Sequence, residues 1–111
     1  MIVVHADVFT EALEREGVRD AMLAAQSSAR EQDGCLSFQF AEAVEEPGRF
    51  VAIEIWRDGA ALDAHYRSLS FTAYQEAVTP LLVRDSEVRV YAAEELARPV
   101  DSDPLDLRQD D

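Results

Sequence analysis

The segment at residues 50–57 carries large apolar side chains on both faces of a predicted strand, and this feature limits the possible folds most. Its apolar residues alternate between Phe50 and Trp56 on one face and Val51, Ile53 and Ile55 on the other. Such alternation is the period-two pattern of a β-strand. Residues 2–9 show the same two-sided pattern. A sheet with two apolar faces needs cover on both sides, so we expect helices on one face and a second layer on the other.

Helical patterns separate the strand patterns along the chain. Thr10 is a candidate N-cap for a helix that extends to about residue 32, and Gly34 is placed to end this helix in the left-handed conformation. Residues 35–44 alternate as a second strand, and Pro47 with Gly48 predicts the turn into the third strand. The apolar face of the first helix consists of Val18, Met22, Ala25 and Ala29.

The second half of the chain predicts two short helices and a last strand. Asp58 is a candidate cap for a helix with Leu62, His65, Tyr66 and Leu69 on one face, and Ser68 or Ser70 can cap the next helix. Pro80 ends or kinks that helix. Residues 86–93 alternate again as a strand.

The resulting order β-α-β-β-α-α-β is the split βαβ pattern of a ferredoxin-like α+β fold with a four-stranded antiparallel sheet. Right-handed crossovers place the first and third strands side by side in the middle. We expect residues 1–94 to form this domain and residues 95–111 to form an acidic tail or arm with too few apolar residues to fold alone. A second copy of the same sheet is the simplest cover for the exposed face, which predicts a homodimer that forms a dimeric α+β barrel.

Charge and residue usage exclude several classes of partner. The net charge is −13, and all ten positive residues are arginines. This charge disfavours nucleic acid and anionic membranes. The absence of lysine rules out a lysine Schiff base and a P-loop. One cysteine, no apolar run of spanning length and no signal-peptide pattern favour a cytoplasmic protein.

A series of short motifs follows the predicted elements in order. The motifs are Gly34-Cys35-Leu36, Arg49-Phe50, Glu54-x-Trp56, His65 on the following helix, and Ser68-x-x-Phe71. This series resembles the antibiotic biosynthesis monooxygenase family over roughly residues 2–93. The resemblance implies a cavity between the sheet and its helices, and oxidation of a small aromatic quinol or polyketide phenol with O₂ without a metal or organic cofactor.

Two departures from the family pattern bear on this expectation. Gln32-Asp33 stands where many members have Glu-Pro, and we interpret this change as one that affects only a loop. Ser70 stands where many members have a second histidine, so one possible base is absent. An isomerase or hydratase resembling the autoinducer-processing branch, and a non-catalytic dimeric binding module, remain alternatives.

The candidate site residues follow from strand and helix spacing, read together with the family resemblance. Glu54 and Trp56 share one face of their strand, and His5 and Asp7 share one face of the neighbouring strand. If these residues face the helices, the sheet holds His5, Asp7 and Glu54 as a polar floor beneath Trp56, His65, Tyr66 and Tyr74. We assign His65 as general base with Glu54 as the second catalytic candidate. The predicted substrate-binding residues are Trp56, Asp7, His5, Tyr66, Phe71 and Tyr74.

Each of these residues also has a structural interpretation. His65 can pack at the helix–sheet junction with a hydrogen bond to Glu54 or a backbone carbonyl, and Glu54 can be a buried acid paired with an arginine or a helix N-terminus. Trp56 can be core, and His5 and Asp7 can lie at a solvated or edge position. A metal held by His5, Asp7, Glu54 and His65 is a further alternative, but no metal-ligand spacing supports it. The haem-degrading relatives use an Asn-Trp-His set, whose positions are here occupied by Asp7, His65 and Gln75, so no haem role is expected.

Overall fold

The computed structural model describes residues 1–96, and its elements follow the predicted order. The predicted tail at residues 95–111 lies outside the described residues from residue 97 onward. The strands are β1 (Ile2–Phe9), β2 (Cys35–Glu42), β3 (Arg49–Trp56) and β4 (Glu87–Ala92). The helices are α1 (Arg15–Arg30), α2 (Gly59–Tyr66) and α3 (Leu69–Val78), with short 3₁₀ turns at Ala12–Glu14 and Thr79–Leu81.

The four strands form one antiparallel sheet with the order β2-β3-β1-β4. The first and third strands are therefore central neighbours, as the split βαβ pattern predicts, and the ferredoxin-like fold is confirmed. The register pairs Val4 with Glu54, Ala6 with Ala52 and His5 with Ile53. Because directly opposed residues of paired strands share a face, this register decides which side chains meet the helices.

The core lies between the helices and one face of the sheet. Val18, Met22 and Ala29 of α1 are fully buried, which confirms the predicted apolar face of that helix. Val18 and Met22 pack with Val8 and Phe50, and Ala29 packs with Trp56 in a second cluster. On α2, Leu62 and His65 are buried as predicted. Leu69 is 88% exposed, so its predicted place on that buried face is wrong.

The opposite side of the sheet, which we call the open face, has no helix against it within residues 1–96. It presents Val3, Val51, Ile53, Ile55 and Tyr91, which follow from the register of the central strands. Ile53 and Tyr91 are each 49% exposed. The open face therefore leaves apolar side chains in contact with water in a single chain.

The helix boundaries correct three sequence predictions. Thr10 does not cap α1, because its hydroxyl donates to the carbonyl oxygen of Gly48 at 2.8 Å and so holds the β2–β3 turn. The α-helix begins only at Arg15, and it ends at Arg30 rather than near residue 32. Gly34 has the expected positive φ of 83°, but it lies in the loop before β2 rather than at the helix end.

The other predicted caps and turns are confirmed. The Asp58 carboxylate accepts from the Ala61 N–H at 2.9 Å, and the Ser68 hydroxyl accepts from the Phe71 N–H at 3.2 Å. Gly48 has a φ of 91° in the turn between β2 and β3. Helix α3 ends at Val78, two residues before Pro80. No helix among residues 1–96 is long and apolar enough to cross a membrane.

Candidate active site

A cavity of about 150 Å³, which we call the central cavity, lies between the sheet and α3. Its floor is the helix-facing side of β1 and β3, and its roof is built by aromatic side chains of α2 and α3. Among the lining residues are Val4, Ala6, Val8, Ala52 and Glu54 of the floor and Tyr66, Phe71, Tyr74 and Gln75 of the roof. The alternation of β1 supplies the apolar floor, and Phe71, Tyr74 and Gln75 follow one another at helical spacing on α3.

Glu54 is the carboxyl group of this floor and is 6% exposed. Its neighbours across the sheet are Val4 and Phe38, both apolar. Within residues 1–96 its one hydrogen bond comes from Trp56, whose Nε1–H donates to Oε1 at 3.0 Å. Burial raises the pKa of Glu54, and the Trp56 hydrogen bond acts in the opposite direction. The site thus holds a buried carboxyl group that no described cation neutralises.

His65 lies on the side of Glu54 that faces away from the central cavity. It does not line the central cavity but an adjacent cavity of about 20 Å³, which shares Glu54, Phe71 and Tyr74 with the central one. That volume suffices for about one water molecule. The His65 Nε2 atom lies 4.0 Å from Glu54 Oε1, and Nδ1 lies 2.9 Å from Gln32 Oε1. Burial lowers the pKa of His65 to about 4, so the imidazole is neutral at pH 7.

Aromatic rings surround His65 on several sides. Its ring lies 4.7 Å from that of Trp56 at an interplanar angle of 32°, and 5.1 Å from that of Phe71. Phe38 makes an edge contact at 5.5 Å. These contacts remove water from the imidazole, which is the physical cause of its lowered pKa.

The tyrosines of the roof keep their protons. Burial raises the pKa of Tyr74 to about 12, and the nearby Glu54 charge acts in the same direction. The pKa of Tyr66 is raised for the same two reasons. A Tyr74 hydroxyl that is neutral at pH 7 can donate a hydrogen bond to an oxygen atom of a ligand.

The prediction that His5 and Asp7 lie beside Glu54 is wrong. His5 is opposite Ile53 and Asp7 is opposite Val51, so both point to the open face while Glu54 points to the helices. Asp7 is buried there and accepts from Arg49 Nη2 at 2.9 Å. His5 Nδ1 lies 3.8 Å from the other Asp7 oxygen. The sheet also separates the four residues of the alternative metal site, and no cluster of metal-ligating side chains occurs among residues 1–96.

Trp56 also differs from its predicted role. It has no exposed surface and does not line the central cavity. Its indole instead packs in the core with Ala29 and Leu62, and its N–H holds the Glu54 carboxylate. Among the predicted residues, the central cavity therefore brings together Glu54, Tyr66, Phe71 and Tyr74, while His65 contacts them from behind.

Gln32 is the residue of this site that sequence reasoning missed. Its amide contacts His65 and the hydroxyls of Ser68 and Ser70. The change from Glu-Pro to Gln32-Asp33 therefore affects more than a loop. The sequence did contain a signal for this contact, because Gln32 and Ser70 both depart from the family pattern. Gln75, which also lines the cavity, gave no sequence signal beyond its spacing from Phe71.

Comparisons with known proteins agree with this fold. The family model described as antibiotic biosynthesis monooxygenase matches residues 1–77. Rv0793 from Mycobacterium tuberculosis superposes with a TM-score of 0.80 at 30% identity, covering 87% of this chain and 98% of that one. A structure named antibiotic biosynthesis monooxygenase superposes with a TM-score of 0.81 at 27% identity, covering 86% and 100%.

A curated relative from Synechocystis sp., the protein sll1783, is 35% identical over 63 residues. The match covers 57% of this chain and 43% of that protein. It therefore spans less than half the length of this relative.

Proposed function

The chain belongs to the antibiotic biosynthesis monooxygenase family, and we propose that it is a cofactor-independent monooxygenase that oxidises a small phenol or quinol with O₂ in the central cavity. The observation that carries this proposal is Glu54, a buried carboxyl group on the floor of a cavity with an aromatic roof. Such a group can remove the proton whose loss makes a phenol easy to oxidise.

The size and lining of the central cavity support a flat aromatic substrate. A dry cavity of about 150 Å³ accommodates a benzene-sized ring, and this cavity has that volume in a single chain. Val4, Ala6 and Val8 form an apolar floor, while Phe71 and Tyr74 provide aromatic surfaces. Small-molecule sites combine such apolar walls with a few polar groups that fix orientation.

The proposed reaction balances without an external reductant. A phenol with a free para C–H reacts with one O₂ to give a para-quinone and one H₂O, and a quinol gives a hydroxyquinone and one H₂O in the same way. The phenolate transfers one electron to O₂, and the resulting radical pair combines to a carbon-bound peroxide. Loss of water from this peroxide breaks the O–O bond and leaves a carbonyl oxygen on the ring. The protein has to remove the phenol proton and keep water from the radical pair.

Glu54 is a better candidate than His65 for the group that takes the proton. It lines the cavity, whereas His65 lies behind it. A pKa of about 4 makes His65 a weaker base than an ordinary imidazole. Burial raises the pKa of Glu54 and so brings it nearer to that of a phenol, which favours proton transfer. We therefore assign the base to Glu54 and a supporting role to His65.

The test is oxygen uptake with a panel of quinols and naphthols. Glu54→Gln keeps the shape and an oxygen that can accept from Trp56, so we expect a fold like that of the wild type. We expect kcat/KM to fall by about 10²–10⁴-fold, the usual effect of losing an acid–base group. Asp7→Asn is the matched control, because it removes a buried carboxylate from the other face of the same sheet, and it should retain turnover.

The outcomes separate the alternatives. Near-wild-type turnover in Glu54→Gln would contradict the assignment of the base. Tight binding of an aromatic ligand to the wild-type protein without oxygen uptake would favour the non-catalytic binding module. A phosphorylated substrate, as in the isomerase alternative, is disfavoured because no arginine lines the central cavity within the described residues.

We propose further that the working form is a homodimer in which two open faces pack together. The support is physical: the central strands and the edge strand β4 present an apolar surface made of Val3, Val51, Ile53, Ile55 and Tyr91. Ile53 and Tyr91 are half exposed in one chain. Burial of such a surface stabilises association. A second copy offers the same surface, which a two-fold axis makes self-complementary.

A further inference from the structure

The Gln32 side chain connects three polar groups of the site. Its Oε1 atom lies 2.9 Å from His65 Nδ1, and its Nε2 atom lies 3.1 Å from the Ser70 hydroxyl and 3.3 Å from the Ser68 hydroxyl. Gln32 follows α1 and precedes β2, so it ties this loop to the ends of α2 and α3.

The hydrogen bonds of Ser68 determine which way the Gln32 amide points. The Ser68 hydroxyl donates its one proton to the His65 carbonyl oxygen at 2.7 Å and accepts from the Phe71 N–H. Ser68 therefore has no proton left, so in its 3.1 Å contact with the Ser70 hydroxyl it is Ser70 that donates. Both serines then present lone pairs to Gln32, and the NH₂ end of the amide must face them. The carbonyl end then faces His65 Nδ1, and a carbonyl oxygen only accepts.

This orientation fixes the position of the imidazole proton. Because Gln32 Oε1 accepts, Nδ1 of His65 must carry a hydrogen. Burial lowers the pKa of His65 to about 4, so at neutral pH the ring has one N–H only. The Nε2 atom is then without a proton and presents a lone pair to Glu54 Oε1, 4.0 Å away.

We propose that Gln32 is a positioning residue that keeps the His65 proton on Nδ1, so that Nε2 is an acceptor facing Glu54. This inference rests on the proposed role of Glu54 as the proton acceptor. At 4.0 Å the two atoms are not hydrogen-bonded, so the influence is electrostatic. The lone pair on Nε2 opposes a negative charge on Glu54 and does not oppose a protonated carboxyl group. The arrangement therefore stabilises the state of Glu54 that follows proton removal from the substrate.

The other tautomer would have the opposite effect. An N–H on Nε2 would direct its positive end at the Glu54 carboxylate, stabilise the ionised form of Glu54 and weaken it as a base. Among residues 1–96, no arginine and no second carboxylate lines either cavity that Glu54 borders. Val4 and Phe38 flank Glu54 on the neighbouring strands. The titratable groups that sense its charge are Tyr66, Tyr74 and Cys35, all neutral at pH 7 and all with raised pKa values.

Nitrogen-15 NMR of the full-length protein tests the inference without any substrate. The chain has two histidines, so a His5→Gln variant assigns the His65 signals. We expect the wild type at pH 7 to show a pyrrole-like Nδ1 and a pyridine-like Nε2. Gln32→Met removes the acceptor and should move the tautomer ratio toward Nε2–H by about tenfold, the effect of one buried hydrogen bond. Gln32→Glu keeps an acceptor and should keep the Nδ1–H form.

Two results would overturn the inference. One is a wild-type His65 with its proton on Nε2, which needs no variant to detect. The other is a folded Gln32→Met protein that retains the Nδ1–H form as fully as the wild type. Failure of the proposed function is a separate result, because an absence of oxygen uptake leaves the measured tautomer unchanged. Should Gln32→Met not fold, the His65 tautomers measured in the wild type and in Gln32→Glu still test the inference.

Discussion

The free energy of unfolding should fall with pH between the unfolded and the folded pKa of His65. Burial lowers the pKa of His65 from 6.5 to about 4. Above pH 6.5 the imidazole is neutral in both the folded and the unfolded chain, so its contribution to stability is complete. Below pH 6.5 His65 binds a proton in the unfolded chain, but in the folded chain it does so only near pH 4. The free energy of unfolding should therefore fall by about 3 kcal/mol across this range, since one pKa unit corresponds to about 1.4 kcal/mol.

The assay is urea unfolding followed by far-UV circular dichroism at pH values from 7.5 to 4.5, at one protein concentration. His65→Gln cannot bind a proton, so the free energy of unfolding should decline less steeply than in the wild type. Glu54 faces His65, and its effect on the free energy of unfolding has the opposite sign. Because burial raises its pKa, protonation of Glu54 favours the folded chain as pH falls. Glu54 is present in both proteins, so their difference reports the titration of His65 together with its coupling to Glu54. His5→Gln removes the partly exposed histidine and should follow the wild type. Parallel curves for the wild type and His65→Gln would refute this reasoning.

Two further outcomes test the interface and the role of Trp56. Sedimentation at micromolar concentration should give twice the mass of one chain for the wild type, and one chain for Ile53→Glu, since a charge at the centre of the open face opposes its burial. Leu23→Glu changes an exposed residue of α1 and should remain dimeric. A monomeric wild type would contradict the proposed dimer. Trp56→Phe should move the acidic limb of the kcat/KM pH profile to higher pH, because loss of the N–H donor raises the pKa of Glu54 further. An unchanged limb would mean that this hydrogen bond does not tune Glu54.

The fold was predictable from the sequence because alternation and helix spacing are local signals. The strand at residues 2–9, the buried face of α1 and the caps at Asp58 and Ser68 all depend on neighbours in the chain. Thr10 was mispredicted because its hydroxyl bonds to Gly48, 38 residues away. Such a contact leaves no trace in local spacing.

The candidate site was only partly predictable, because it depends on the register between strands. Spacing showed that His5 and Asp7 share one face and that Glu54 and Trp56 share another. It did not show whether the two faces coincide, because β1 and β3 carry apolar residues on both faces. The register of His5 opposite Ile53 settles this point. The contact of Gln32 with His65 crosses 33 residues and depends on how α2 packs against the loop after α1.

The sheet separates two buried carboxylates whose surroundings suit them to different tasks. Asp7 is 3% exposed on the open face, and its charge is balanced by the Arg49 guanidinium at 2.9 Å. That contact raises the pKa of Arg49, as expected of a stable ion pair. Glu54 is 6% exposed on the other face and has one neutral N–H donor, so burial dominates and raises its pKa. Of the two, only Glu54 faces a cavity that fits an aromatic ring, and this is why the proposed proton removal is assigned to Glu54. Asp7 instead holds Arg49 on the face where a second copy is proposed to pack.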